Sequence, residues 1–270
     1  MTRPTETLLG LALQVLQSPT PAEKKQLARK SVEALEHGAS IGDFAPVPPM
    51  RPARPERPEL CPPSAVPRRR LGSVQGRAAL LHAVAHIEFN AIDLAFDMAV
   101  RFAGEADRLG LETKKFVSDW FQVGGDEARH FGLIESRLNE LECGYGDFPA
   151  HDGLWEAAEN TADSFLARLA VAPLILEARG LDVTPGMIRR LEGAGDKTSA
   201  AILKIIYYDE IGHVACGERW FSAACGALKK DPAPTFQALK AKYFAGSLKP
   251  PFNHAARDLA GLPRSYYDPI

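Results

Sequence analysis

The chain has 270 residues, enough for one large domain or one domain with appendages. Its 32 basic and 34 acidic residues leave a net charge of −2, which argues against a protein that coats nucleic acid. Four cysteines (Cys61, Cys143, Cys216, Cys225) form no CxxC pair, which excludes a zinc ribbon, a rubredoxin-type iron site and a disulfide scaffold, and fits a reducing, cytoplasmic compartment.

In chain order, the first apolar run, Leu8 to Leu16, is broken by Gly10 and Gln14 and has neither a basic leader nor a cleavage site, so no secretory signal is expected. No run reaches the roughly 18 apolar residues of a membrane span. Residues 1–44 read as a small helical N-terminal extension. Its second helix has Thr20 as N-cap, Pro21 at the first position, Glu23 closing a capping box and Gly38 past the end. Residues 45–72 hold Pro46, Pro48, Pro49, Pro52, Pro55, Pro58, Pro62, Pro63 and Pro67, a density that excludes helix interior and central strand and predicts an extended surface segment. The basic run Arg68-Arg69-Arg70 at its end reads as solvated.

Residues 73–230 change to long helical periods, with helices over about 73–109, 112–143, 154–179 and 196–229. Gly110, Gly144 and Gly180 follow the first three, and Asp231-Pro232 the last. Pro173 should kink the third. A short helix near 186–193 fills the connection to the fourth. Residues 231–270 read as a tail with weaker helices near 233–245 and 253–260. Nothing alternates as a strand does, so the chain is all-α, with a four-helix bundle at its centre.

Each long helix has an apolar stripe at steps of three and four, and a carboxylate interrupts every stripe: Glu88 in the first, Glu127 in the second, Glu177 in the third, Glu210 in the fourth. In the second and fourth a histidine follows three residues later, His130 and His213, on the same face and one turn away. Four buried carboxylates are untenable without compensating charge, so either a cation sits among them or the stripes are misread. Oxygen and imidazole ligands without thiolate suit iron or manganese, and two divalent ions would neutralise four carboxylates. The first helix also offers Asp93, Asp97 and Glu105, but stripe phase selects Glu88. His82 and His86 lie about 120–160° around from Glu88, and read as structural histidines or neighbours of the ligands rather than as ligands.

The two halves resemble each other. Glu88 to Glu127 is 39 positions, Glu177 to Glu210 is 33, and each ExxH is preceded by aspartate, in Asp126-Glu127-Ala128-Arg129-His130 and Asp209-Glu210-Ile211-Gly212-His213. Asp126 and Asp209 are the expected acceptors for the outer ring nitrogens of the histidines, within each motif or across the pair. Tyr207, one turn before Glu210, is within reach of a metal, although a packed aromatic is the simpler reading. Gly124-Gly125 inside the second helix suggests a local π-type distortion or close access to the site.

With these residues in view, the chain resembles the ferritin-like di-iron carboxylate superfamily, whose bundles hold two metals with four Glu and two His. DEARH matches the DExRH motif of its oxygen-activating branches, and the stretch HAVAHIEFNAIDLA resembles an uncharacterised bacterial family within it, distantly similar to tRNA hydroxylases of the same fold. The resemblance implies that Glu127 and Glu210 are the bridging, catalytic carboxylates and that Glu88, Glu177, His130 and His213 are terminal ligands, with Asp126, Asp209, Arg129 and Tyr207 around them. The second motif departs from the pattern, with Gly212 in place of arginine, so an asymmetric surround is expected. The implied activity is oxidation or hydroxylation of a small-molecule or macromolecular substrate with O2 or peroxide. Two iron ions, or manganese, would serve as cofactor, and the chain would act as a monomer or homodimer. An external protein would have to donate electrons, because no flavin fingerprint or cysteine cluster is present. The other readings are ferroxidase or iron storage, and a non-catalytic helical interaction module.

Overall fold

The computed structural model describes residues 7–44, 47–63, 70–244 and 246–268, and among them the chain is all-helical, without a strand. The N-terminal pair is α1 (Leu8–Gln17) and α2 (Pro21–Glu36). The two longest early helices are α3 (Val74–Arg108) and α4 (Thr113–Glu140). Then come α5 (Gly153–Asn160), α6 (Phe165–Val171), a π-helical segment (Ala172–Glu177), α7 (Ala178–Gly193) and α8 (Lys197–Ala227). The chain closes with α9 (Pro232–Tyr243), α10 (His254–Leu259) and α11 (Arg264–Tyr267).

Helix starts follow their caps. The side chains of Thr7, Thr20, Ser73, Ser164 and Asp196 each accept from a free backbone N–H in the first turn that follows. α3 pairs with α4 and α7 with α8, while α4 also meets α8. α1 and α2 lie on α3 and α4, and Leu8, Ala12, Val15 and Leu16 belong to the same buried core as Ile92, Phe121 and Leu203. By length and composition α3 alone among the described residues could cross a membrane, unlike the expectation from apolar runs, but 78% of that window is buried inside the protein.

The third expected helix is not continuous. Thr161 Oγ1 bonds back to Ala157 O at 2.8 Å, and Arg168 takes Ala158 O at 2.6 Å, so the carbonyls that would carry α5 onward are used locally. Ser164 then starts α6 afresh. Gly180 does not end the run either, because its backbone is helical and α7 passes through it to Gly193. Pro185 sits inside α7, where it leaves the carbonyl of Leu181 without its usual donor. Asn253 Nδ2 donates to that oxygen at 3.1 Å.

Pro173 produces the π-helical turn Ala172–Glu177 rather than a simple kink. The ring is received by α8 at Gly217, where a Cβ would lie 2.4 Å from Pro173 Cβ. Gly217→Ala should therefore push the π segment outward and destabilise the fold by about 1–3 kcal/mol in denaturant melts, despite alanine's better helix propensity. The glycine pair in α4 has a different cause from the distortion considered above. α4 is regular throughout, and Cβ atoms would lie 2.7 Å from Phe96 at Gly124 and 2.6 Å from Val32 at Gly125. These glycines let α3 and α2 close onto α4.

The proline segment lies across the helices, held by its backbone. Arg101 donates to Pro49 O (2.9 Å), Trp155 Nε1 to Met50 O (2.9 Å) and Lys24 Nζ to Ala53 O (3.2 Å). Leu60 and Ala150 form an isolated parallel bridge. Pro46, Pro67, Arg68 and Arg69 lie outside the described residues.

Candidate metal centre

Three aspartate or glutamate side chains on α3 are buried, and their partners differ. Asp93 is paired with Lys24 from α2, and Asp97 with Arg101 and Arg168. Among the described residues Glu88 pairs with no lysine or arginine, and it faces His130 Nδ1 at 3.1 Å. Glu105, the other acid offered by this helix, reaches only Arg108 at 3.9 Å near the surface. Stripe phase and charge balance thus single out the same residue.

Around Glu88 gather Glu127 and His130 from α4 and Glu210 from α8, with ligand atoms of all four within 4.8 Å of one another. His213 and Glu177 adjoin them. His213 Nδ1 lies 3.0 Å from Glu127 Oε1 and 3.6 Å from Glu210 Oε1, and His130 Nδ1 lies 3.5 Å from Glu127 Oε2. The two oxygens of Glu127 thus face one imidazole each. Glu177, at the end of the π segment, is raised by burial and then by the charges of Glu210 and Glu127, with which it shares the wall of one cavity.

Both oxygens of Glu127, one each of Glu177 and Glu210, and the inward Nδ1 of His213 are buried with no partner in hydrogen-bond geometry among the described residues. Protons alone must otherwise balance this charge. Burial, reinforced by neighbouring carboxylates, raises Glu88 and Glu210 and pushes Glu177 up to about 8. Burial would raise Glu127 too, but the His213 and His130 imidazoles hold it below its ordinary value. Burial opposes charging of the histidines, yet Glu127 and Glu88 raise His130 to about 11, and Glu127 and Glu210 raise His213 well above its usual value. A bound cation would supply the same compensation by displacing those protons.

The outer ring nitrogens cross between the motifs. His130 Nε2 meets Asp209 Oδ2 at 2.9 Å, and His213 Nε2 approaches Asp126 Oδ2 at 3.5 Å. Each aspartate serves the histidine of the other motif, which turns each Nδ1 inward. Arg129 ties the pair together, with Nη2 donating to Asp209 Oδ2 (2.7 Å) and Asp126 Oδ1 (3.1 Å). Gly212, the counterpart of Arg129, has open space where a Cβ would stand, so a single guanidinium holds both aspartates. Asp209→Ala should lower metal affinity about 10–100-fold, measured by competition with a chelator, since the His130 ring loses its orienting acceptor.

Three aromatic residues of interest lie elsewhere. His82 Nε2 accepts from Gly146 N (2.8 Å) and His86 Nδ1 contacts the Tyr145 hydroxyl (2.8 Å). Burial lowers both histidines to about 4, so they are neutral packing groups under the loop after α4. Tyr207 packs against the core, as its simpler reading has it, with its hydroxyl accepting from Asn253 Nδ2 at 2.8 Å where the C-terminal segment folds back over α7 and α8. The buried Lys24–Asp93 pair, which sets Asp93 apart from the cluster, had no sequence signal.

No solved structure matches the chain significantly. An "Uncharacterized protein" of Haemophilus influenzae is 42% identical over 209 residues, which are 77% of this chain and 73% of that protein. The family described as "Protein of unknown function (DUF455)" matches residues 17–268, a span that includes every candidate ligand, and the chain belongs to that family.

Proposed function

We propose that α3, α4, the α6–α7 run and α8 form a ferritin-like four-helix bundle that holds two iron or manganese ions. In this reading the protein is an oxidoreductase that uses O2 or peroxide on an organic substrate. The supporting observation is the set of buried carboxylate oxygens on Glu127, Glu177 and Glu210, with the inward Nδ1 of His213, that lie at one site without hydrogen-bond partners among the described residues. Such a set is costly to bury except around cations, and four Glu with two His is a di-metal ligand set.

The residues fit that role. Glu127, with one oxygen toward each histidine, would be shared between the ions. Glu88 stands with His130, Glu210 lies within reach of both that pair and His213 and would also be shared, and Glu177 would complete the set from the same cavity wall. A reduced di-iron pair bound here supplies the electrons and Lewis acidity that activate O2 or peroxide. The chain's own part is to orient His130 and His213 through Asp209 and Asp126, and to exclude water with the apolar stripes of four helices. Electrons would reach the site from a separate donor protein.

Elemental analysis of natively purified protein should find about two iron or manganese ions per chain. O2 uptake should follow addition of Fe(II) and a reductant to the apoprotein. Protein that neither retains nor rebinds metal would end this reading.

A further inference from the structure

A cavity of about 380 Å³ opens directly onto the carboxylate cluster, with Glu88, Glu127, Glu177 and Glu210 in its wall. The rest of the wall is mostly apolar. Ile87 and Ala91 contribute from α3, Val183 and Met187 from α7, and Leu203 and Ile206 from α8. At roughly 30 Å³ per water-sized group, the space holds about a dozen non-hydrogen atoms. That is within the size of a small-molecule site.

We infer that this cavity binds an uncharged, mainly hydrocarbon molecule of about a dozen non-hydrogen atoms and presents it to the glutamate cluster. Its role as substrate pocket rests on the oxidoreductase reading above. The apolar wall would gain from burying such a molecule. An anion would meet four carboxylates. The one guanidinium at the wall among the described residues, Arg179, already donates to Lys249 O (2.8 Å) and Pro251 O (3.3 Å). A polar molecule would find few partners among the aliphatic side chains and would stay in water.

Gly180 makes the pocket testable. It lines the cavity one turn after Glu177 on the same face of α7, and a Cβ there meets nothing within 4 Å. A larger side chain therefore enters open space, and replacing a helical glycine favours the helix. Gly180→Phe, with Gly180→Leu as a second and smaller filling, should leave metal content and melting temperature near those of the wild type while blocking the pocket.

The probe is naphthalene, followed by its fluorescence on titration into the protein as purified, with naphthalene-2-sulfonate as the charged comparison. Wild-type protein should bind naphthalene, and Gly180→Phe should bind it at least about tenfold more weakly, with Gly180→Leu between them. Absence of binding to the wild type, or equal binding by wild type and both folded variants, would overturn the pocket. Tighter binding of the sulfonate than of naphthalene would overturn the uncharged class. Metal analysis of the same samples separates the two readings. Protein free of metal that still binds naphthalene in the expected order loses the oxidoreductase role and keeps the pocket, whereas metal-loaded protein that ignores naphthalene loses the pocket alone.

Discussion

Glu127→Ala should purify with less than one metal ion per chain, against about two for the wild type, and should show no O2 uptake with Fe(II) and reductant. Glu127 is fully buried, and its two oxygens face the two imidazoles, 3.0 Å from His213 and 3.5 Å from His130. Its removal therefore strips a ligand from both halves of the centre at once. Glu88→Ala touches only the His130 side, so it should retain more metal than Glu127→Ala. Elemental analysis of the two variants beside wild type reads this order directly. Equal metal content in wild type and Glu127→Ala would remove Glu127 from the ligand set.

The second large effect concerns stability. Lys24 and Asp93 form an ion pair between α2 and α3 with 0% and 1% of their side chains exposed. Removing one partner of such a pair leaves an uncompensated buried charge, so Lys24→Met should lose about 3–5 kcal/mol in chemical denaturation. Burial already raises Asp93 to about 7, even beside the Lys24 ammonium, and the lysine's removal would raise it further. Lys24→Met combined with Asp93→Leu should recover most of the loss, because two apolar side chains replace two buried ions. A double variant as unstable as the single one would show that packing rather than charge sets the cost.

Much of the helical plan was readable from local signals. The ends of α3, α4 and α8 fall within a few residues of the glycine, proline and capping signals, and Thr20 caps α2 as its box predicts. Caps and periodicity act over three or four residues, which a linear reading sees. The interruption at 161–164 is not legible because Arg168 binds the Ala158 carbonyl of the preceding helix and the Thr161 hydroxyl, and no helix-ending glycine or proline marks the place. Pro173 was readable as a disturbance but not as a π turn, because its outcome depends on Gly217 in another helix receiving the ring.

The acids divide along the same line. Spacing alone brings Glu127 with His130, and Glu210 with His213, onto common helix faces, and the core stripe marks Glu88 and Glu177 as carboxylates at inward positions. Which buried acids carry their own cation is a matter of contacts between residues far apart in the chain. Lys24 reaches Asp93 across 69 positions and Arg168 reaches Asp97 across 71, and those pairings leave Glu88 to His130. The crossing of Asp126 and Asp209 to opposite histidines, the single Arg129 between them and the cavity beneath α7 likewise exist only once α4 and α8 pack together. Periodicity records which face of a helix turns inward. Only packing decides what that face meets, because contact energies depend on distance in space rather than along the chain.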